Sequence, residues 1–232
     1  MAEHWTITTP DGDFHAYVAR PATPGPWPAV VAIQEIFGIN HVMREVCAWL
    51  AGQGYLALCP DLFWRLERGV DITDKSQPEW DKALDLMGRF DVDKGVEDIR
   101  ATIDHIRGLE SCSGKVGAVG YCLGGKLAFL TTLRTDSDAS VGYYGVGLGQ
   151  HLEEAKGLAR PLMLHIAEED GFVPKDVQAS VKAALANNPN AVIHTYPGRD
   201  HAFARPGGAH YHHEDAETAN ARTAAFLAEH LK

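Results

Sequence analysis

The run Gly120-Tyr121-Cys122-Leu123-Gly124-Gly125 constrains this chain more than any other. It follows directly on Val116-Gly117-Ala118-Val119, a short apolar stretch that predicts a strand, and it opens a segment, 123–134, that predicts a helix. A strand that reverses into a helix through G-x-Cys-x-G is a nucleophile elbow with Cys in the place of Ser. Such a turn forces its central residue into a strained backbone conformation, and side chains at the flanking positions collide with the neighbouring strand and helix. Gly120 and Gly124 supply the room. The helix N-terminus beneath the sulfur favours the thiolate, which is the attacking species. No Ser occupies a comparable position, so Cys122 has no rival, although a Gly-rich turn carrying an inert buried Cys is the plainer reading.

Similar apolar runs recur at 29–33, 55–59, 141–144, 161–166 and 191–196, with helical segments expected over 41–53, 78–89, 175–187 and 215–231. The clearest helix follows Asp93, where Val96, Ile99, Ile103 and Ile106 share one face and Gly108 stands just past the end. Residues 4–9 and 14–19 flank Pro10-Asp11-Gly12-Asp13 and predict an antiparallel hairpin, and the proline-rich 21–28 predicts a loop. This alternation predicts an α/β fold: a mainly parallel central sheet, helices on both faces, an N-terminal hairpin, and a single domain over 1–232. The irregular stretch 63–89, with Trp64 and Trp80, suits a cap over one end of the sheet, or an ordinary solvated helix and loop.

A nucleophile at this elbow needs a base, and the base needs an acid to hold its tautomer; in chain order they follow as nucleophile, acid, His. The strand at 161–166 runs into Glu168-Glu169-Asp170-Gly171, and Asp170, just before the turn, is the expected acid, with Glu168 and Glu169 competing on proximity. The last strand gives way to Pro197-Gly198-Arg199-Asp200-His201, which makes His201 the expected base, with Asp200 facing solvent or capping the loop. Gln34-Glu35-Ile36-Phe37-Gly38 leaves the first central strand at the same edge, so the backbone N–H groups of Ile36 and Leu123 are expected to form an oxyanion hole. A carboxylate at Glu35 disfavours a nearby thiolate unless a cation pairs it, an arrangement able to gate reactivity; a helix-start Glu is the plainer alternative.

Charge and cysteine usage narrow the partners. The formal net charge is −10, which repels phosphate backbones and anionic lipid heads, so neither nucleic acid nor membrane is expected as a partner. Met1-Ala2-Glu3-His4-Trp5 lacks a basic head and apolar run, and a cytoplasmic location and a monomer are expected. Cys47, Cys59, Cys112 and Cys122 show no paired spacing, and His210, His212 and His213 lack zinc-site spacing, so neither a disulfide framework, a metal nor a cofactor is expected.

Five blocks in order, namely Gln34-Glu35-Ile36-Phe37-Gly38-Ile39-Asn40, Cys59-Pro60-Asp61-Leu62, the Cys122 elbow, Tyr143-Tyr144-Gly145-Val146-Gly147 and His201-Ala202-Phe203-Ala204-Arg205, resemble the dienelactone hydrolase family. The resemblance covers nearly the whole chain and implies an α/β-hydrolase fold and opening of a lactone ring such as that of dienelactone (carboxymethylenebutenolide) in the bacterial breakdown of chlorinated aromatics. By it Cys122, Asp170 and His201 form the triad, Glu35 takes the thiol proton when substrate binds, and Arg205 partners both Glu35 and a substrate carboxylate. Ring opening releases an enolate that helps to expel the sulfur, so simple esters are expected to turn over poorly. Phe37 and Tyr144, both within those blocks, are expected to contact the substrate.

The chain departs from that family where substrate is chosen. Family members carry an Arg, a Tyr and a Trp in the helix over the site; ungapped counting puts Trp80, Leu84 and Met87 there. Arg205 remains, and Arg65 is expected to reach in from the loop after Leu62, but loss of a bidentate Arg weakens the case for an anion. A bulkier or less charged lactone or activated ester is therefore the alternative substrate. Two other readings are a non-hydrolytic thiol-bearing binding protein and a redox thiol, the latter needing a second Cys nearby.

Overall fold

A computed structural model describes residues 3–232. Eight strands form one sheet: β1 (Glu3–Thr9), β2 (Gly12–Ala19), β3 (Trp27–Ile33), β4 (Leu56–Pro60), β5 (Cys112–Tyr121), β6 (Ser140–Tyr143), β7 (Leu162–Ala167) and β8 (Ala191–Tyr196), in the order β1-β2-β4-β3-β5-β6-β7-β8. β1 and β2 make the expected hairpin, with Thr9 opposite Gly12. β2 also joins β4 antiparallel, and every later pairing is parallel. The loop expected over 21–28 is shorter than the prolines suggested: β3 begins at Trp27, where an irregularity between Trp27 and Ala29 lets Pro28 sit at the strand's first turn without a ladder N–H.

Among the described residues the chain also forms six α-helices: α1 (His41–Gly52), α2 (Gln77–Arg89), α3 (Val92–Arg107), α4 (Leu123–Arg134), α5 (Lys175–Leu185) and α6 (His213–Leu231). Their starts follow local chemistry. Asn40 caps α1 by accepting from the Met43 N–H, Asp91 caps α3 by accepting from Asp93 and Lys94, and Pro78 occupies the first turn of α2. On α3 the stripe Val96, Ile99, Ile103 and Ile106 is buried.

All six residues of β7 and the last six of β5 are buried, as strands covered on both faces must be. Among the described residues no helix is long and apolar enough to cross a membrane. The carboxyl ends of β3, β5, β7 and β8 lie at one edge, where polar side chains from four separate loops converge. α2 and the loop before it cover that edge, with Leu62, Phe63 and Trp64 buried beneath. Asp61 shapes the loop by accepting from the Phe63 and Gly69 N–H groups.

Candidate active site

β5 ends at Tyr121 and α4 begins at Leu123, leaving Cys122 alone at the turn with φ 56° and ψ −116°. Few L-residues adopt this conformation, and the local packing enforces it. A Cβ on Gly120 would stand 1.9 Å from the Gly124 carbonyl oxygen, and one on Gly124 would stand 2.3 Å from that of Ile33. The strand-to-helix reversal is therefore possible only with both glycines, as the motif implied. Cys122 is buried, with only its outer edge open to a cavity of about 120 Å³.

His201 lines the same cavity from the loop after β8. Its Nδ1 lies 2.9 Å from Asp170 Oδ2 and 3.2 Å from Oδ1, and Asp170 Oδ1 also accepts from the Phe172 N–H at 2.8 Å. Ring edges of Phe172 and Tyr144, 4.8 and 5.1 Å away by centroid, fix the imidazole plane. Burial works against a charge on His201, but the hydrogen bond to Asp170 and the adjacent Cys122 sulfur outweigh it and carry its pKa up to about 10. Asp200 does cap the loop: its Oδ1 accepts from Gly171 and His201 N–H, tying the acid loop to the base loop. Glu169 pairs with exposed Lys175 instead.

The loop after β3 carries Glu35 and Ile36. Gln34, fully buried, accepts from the Leu62 N–H through Oε1 and donates to the Glu35 carbonyl through Nε2, which fixes this backbone against the cap. Among the described residues the N–H groups of Ile36 and Leu123 have no backbone acceptor. Glu35 lines a second cavity of about 170 Å³ with Val46, Trp49, Tyr121 and Arg205, and not the cavity that Cys122 lines. Its Oε2 is 2.9 Å from Arg205 Nε, an ion pair by distance, while neither carboxylate oxygen accepts a well-aligned hydrogen bond.

Arg205 has a further partner that sequence reasoning missed. Its Nη1 donates to Asp74 Oδ2 at 2.7 Å, and its guanidinium carbon sits 5.1 Å from the Phe37 ring centroid. Burial opposes the Arg205 charge, but Glu35, Tyr144 and Asp74 hold its pKa above the ordinary value. Lys126, on the second turn of α4, was also missed; burial lowers its pKa, and Cys122 partly offsets that. The cavity over Cys122 is otherwise apolar: Phe37, Trp80, Leu84, Met87, Val146 and Phe172 line it, with Trp80 edge-on to Phe37 at 5.2 Å.

Two expected substrate contacts are corrected. Arg65 stays out of the site because it is bound to Asp98, a fully buried carboxylate on α3, and to Asp11, in a separate groove beside Trp64. Tyr144 lines the second cavity rather than that of Cys122, held at φ 37° between His201 and Phe203. The histidines near the C-terminus serve local roles: His212 caps α6, and His210 approaches the His201 carbonyl.

Residues 14–231 match the description of the dienelactone hydrolase family. The chain belongs to that family. It is 53% identical over 222 residues to a "Putative carboxymethylenebutenolidase" of Azospirillum brasilense, covering 95% of each chain. It is also 39% identical over 229 residues to the carboxymethylenebutenolidase of Pseudomonas putida, covering 98% of this chain and 97% of that one. The structure of a "Putative Dienelactone Hydrolase" from Klebsiella pneumoniae superposes with a TM-score of 0.87 at 28% identity over 98% of both chains. The fold is thus that of the α/β-hydrolases, and as a dienelactone hydrolase family member the chain is a lactone or ester hydrolase of small molecules.

Proposed function

We propose that this family member opens lactone rings with Cys122 as nucleophile, His201 as the group that holds the hydrolytic water, Asp170 as the group that orients His201, and Glu35 as the acceptor of the thiol proton. The observation that carries the reading is the meeting of Cys122 and His201 in one cavity with Asp170 behind the imidazole. Each side chain leaves the carboxyl end of a different strand, so only the folded sheet brings them together.

In the first step the Cys122 thiol gives its proton to Glu35. Turning toward the sulfur gives up the ion pair with Arg205 but no well-aligned hydrogen bond, and Asp74 keeps the guanidinium paired. The thiolate adds to the lactone carbonyl, and the resulting oxyanion rests on the N–H groups of Ile36 and Leu123. Collapse breaks the ring C–O bond, leaving a thioester and an enolate. The enolate takes a proton from a water molecule held by His201, and the hydroxide so formed adds to the thioester carbonyl. Expulsion of the sulfur, which recovers its proton from Glu35, frees the open-chain acid. The net change is addition of one water across the ring ester.

Dienelactone is the first substrate to try, given the names of the relatives. The test follows its ultraviolet absorbance with wild type and Cys122→Ala side by side. Loss of activity in the variant by a factor of about 10³ or more supports the nucleophile, because triad removals cost several orders of magnitude. A variant retaining over about a tenth of the rate overturns it.

A further inference from the structure

The pairing of Arg205 with Asp74 bears on which lactone the site takes, and the inference rests on the hydrolase reading above. A carboxylate is clamped by arginine when one edge of the guanidinium offers it two parallel N–H groups. In the resting structure both edges of Arg205 are occupied: Glu35 lies at Nε, on the Nε/Nη2 edge that it vacates on turning toward Cys122, whereas Asp74 holds Nη1 and keeps the Nη1/Nη2 edge closed throughout. The Phe37 ring lies against the guanidinium plane. Two carboxylates, 3% and 12% exposed, therefore face one guanidinium that is 8% exposed, and Lys75 pairs Asp74 from its other oxygen, so the guanidinium has no charge to spare for a substrate anion.

Among the described residues no unpaired cation lines the cavity. His201 is the other ionisable nitrogen group lining it among the described residues, and its charge is matched by Asp170. Lys75, 3.1 Å from Asp74 Oδ1, is spent on that pair and does not line the cavity. Asp74 is held firmly in place. Trp80, itself part of the cavity wall, donates its indole N–H to the Asp74 carbonyl at 3.1 Å, and Lys75 reaches across to the Gly207 carbonyl in the loop that bears Arg205.

We propose that Asp74 is a specificity-determining residue that occupies the position on Arg205 a substrate carboxylate would need, so that the site selects an uncharged lactone bearing an apolar substituent. The walls fit that ligand. Trp80, Leu84 and Met87 on α2 face Val146 and Phe172 across the cavity. Of the three large apolar side chains that are well exposed among the described residues, two, Leu84 and Phe172, stand at its mouth. An apolar substituent extending outward between them removes both from water, whereas a carboxylate there is desolvated against apolar walls without a cation of its own.

The experiment separates selectivity from turnover. Two γ-lactams shaped like dienelactone, one with the free carboxylate and one with a primary carboxamide, are titrated calorimetrically into wild type and Asp74→Asn. The wild type is expected to bind the carboxamide more tightly, and Asp74→Asn to shift the acid-to-amide affinity ratio toward the acid by about tenfold or more, as freeing a charge-assisted site on a buried arginine should. Asp74→Ser, which removes the same charge, gives the same comparison where the Asn variant does not fold. Tighter binding of the acid by wild type, an unchanged ratio in the variant, or binding of neither lactam overturns the proposal. Hydrolysis of the matching lactones by wild type is measured separately, so that failure to turn them over counts against the hydrolase reading while the lactam ratios still judge Asp74.

Discussion

Glu35 Oε2 sits 2.9 Å from Arg205 Nε, yet neither oxygen of this buried carboxylate accepts an aligned hydrogen bond. Most buried carboxylates are hydrogen-bonded as well as paired, because burial without hydrogen bonds leaves their desolvation uncompensated. A pair without aligned hydrogen bonds holds its members less rigidly than one with them. Asp74 gives Arg205 a second carboxylate partner, so that the proposed turn of Glu35 would leave the guanidinium paired.

Glu35→Gln keeps the shape and removes the proton acceptor. Expected is a fall in kcat of about 10² or more with KM changed less than about threefold, since general-base removal acts on the reacting state and leaves ground-state binding in place. Steady-state kinetics check this. Equal losses in kcat and in affinity would instead mark Glu35 as a purely structural partner of Arg205.

Cys122 is a point of backbone strain, with φ 56° and ψ −116° at a residue that has a side chain. Glycine adopts that conformation without penalty, at some cost in unfolded-chain entropy. Cys122→Gly is therefore expected to be more stable than Cys122→Ala by about 1 kcal/mol, which for a chain of this length is about 2–4 °C in Tm. Both variants should be inactive. Thermal melts of the pair, differing by one methyl group, read the strain directly; an Ala variant melting at or above the Gly variant shows that the turn is relaxed.

What the sequence disclosed and what it hid divide along sequence separation. β5 and α4 are apolar runs around a glycine-marked turn, so local pattern alone located Cys122, and the strand-end positions of Asp170 and His201 followed from topology. Asp74 had no such signal. It lies in an irregular loop, and its partner Arg205 is 131 residues away, a pairing that exists only because the cap folds back over the sheet edge. Arg65 misled for the converse reason: a basic residue in a loop near the site looked available, while the carboxylate that holds it is hidden on the buried face of α3, where periodicity alone predicts apolar side chains.

The His201–Asp170 pair should be visible in the pH dependence of stability. His201 is raised to about 10 in the folded protein, against about 6.5 for a free imidazole. A raised folded pKa means that the native state binds the proton more tightly, so the stabilisation is fully present below about pH 6.5 and is lost as pH rises through about 10. The stability difference between wild type and Asp170→Asn is accordingly expected to be largest near pH 6 and to shrink steadily toward pH 10. Urea unfolding of both proteins across that range measures it. A difference that is flat, or that grows with pH, contradicts a protonated His201 stabilised by Asp170.

Arg65 belongs to the scaffold, and its removal should separate stability from activity. Its Nη2 donates at 3.0 Å to Asp98 Oδ1 and at 2.8 Å to Asp11, and its guanidinium carbon lies 4.3 Å from the Trp64 ring centroid. Asp98 is fully buried, and without Arg65 it keeps only the Trp64 indole N–H at 2.9 Å as a side-chain donor. Burial already pushes the Asp98 pKa up, with Arg65 and Trp64 working against that shift. Arg65→Ala is thus expected to cost about 2 kcal/mol, for the carboxylate left without its cation, while kcat/KM at a permissive temperature stays within about twofold of wild type. Pairing Arg65→Ala with Asp98→Asn should recover part of the lost stability, because the neutral amide no longer needs the cation. A large fall in kcat/KM with little change in Tm would return Arg65 to the substrate site.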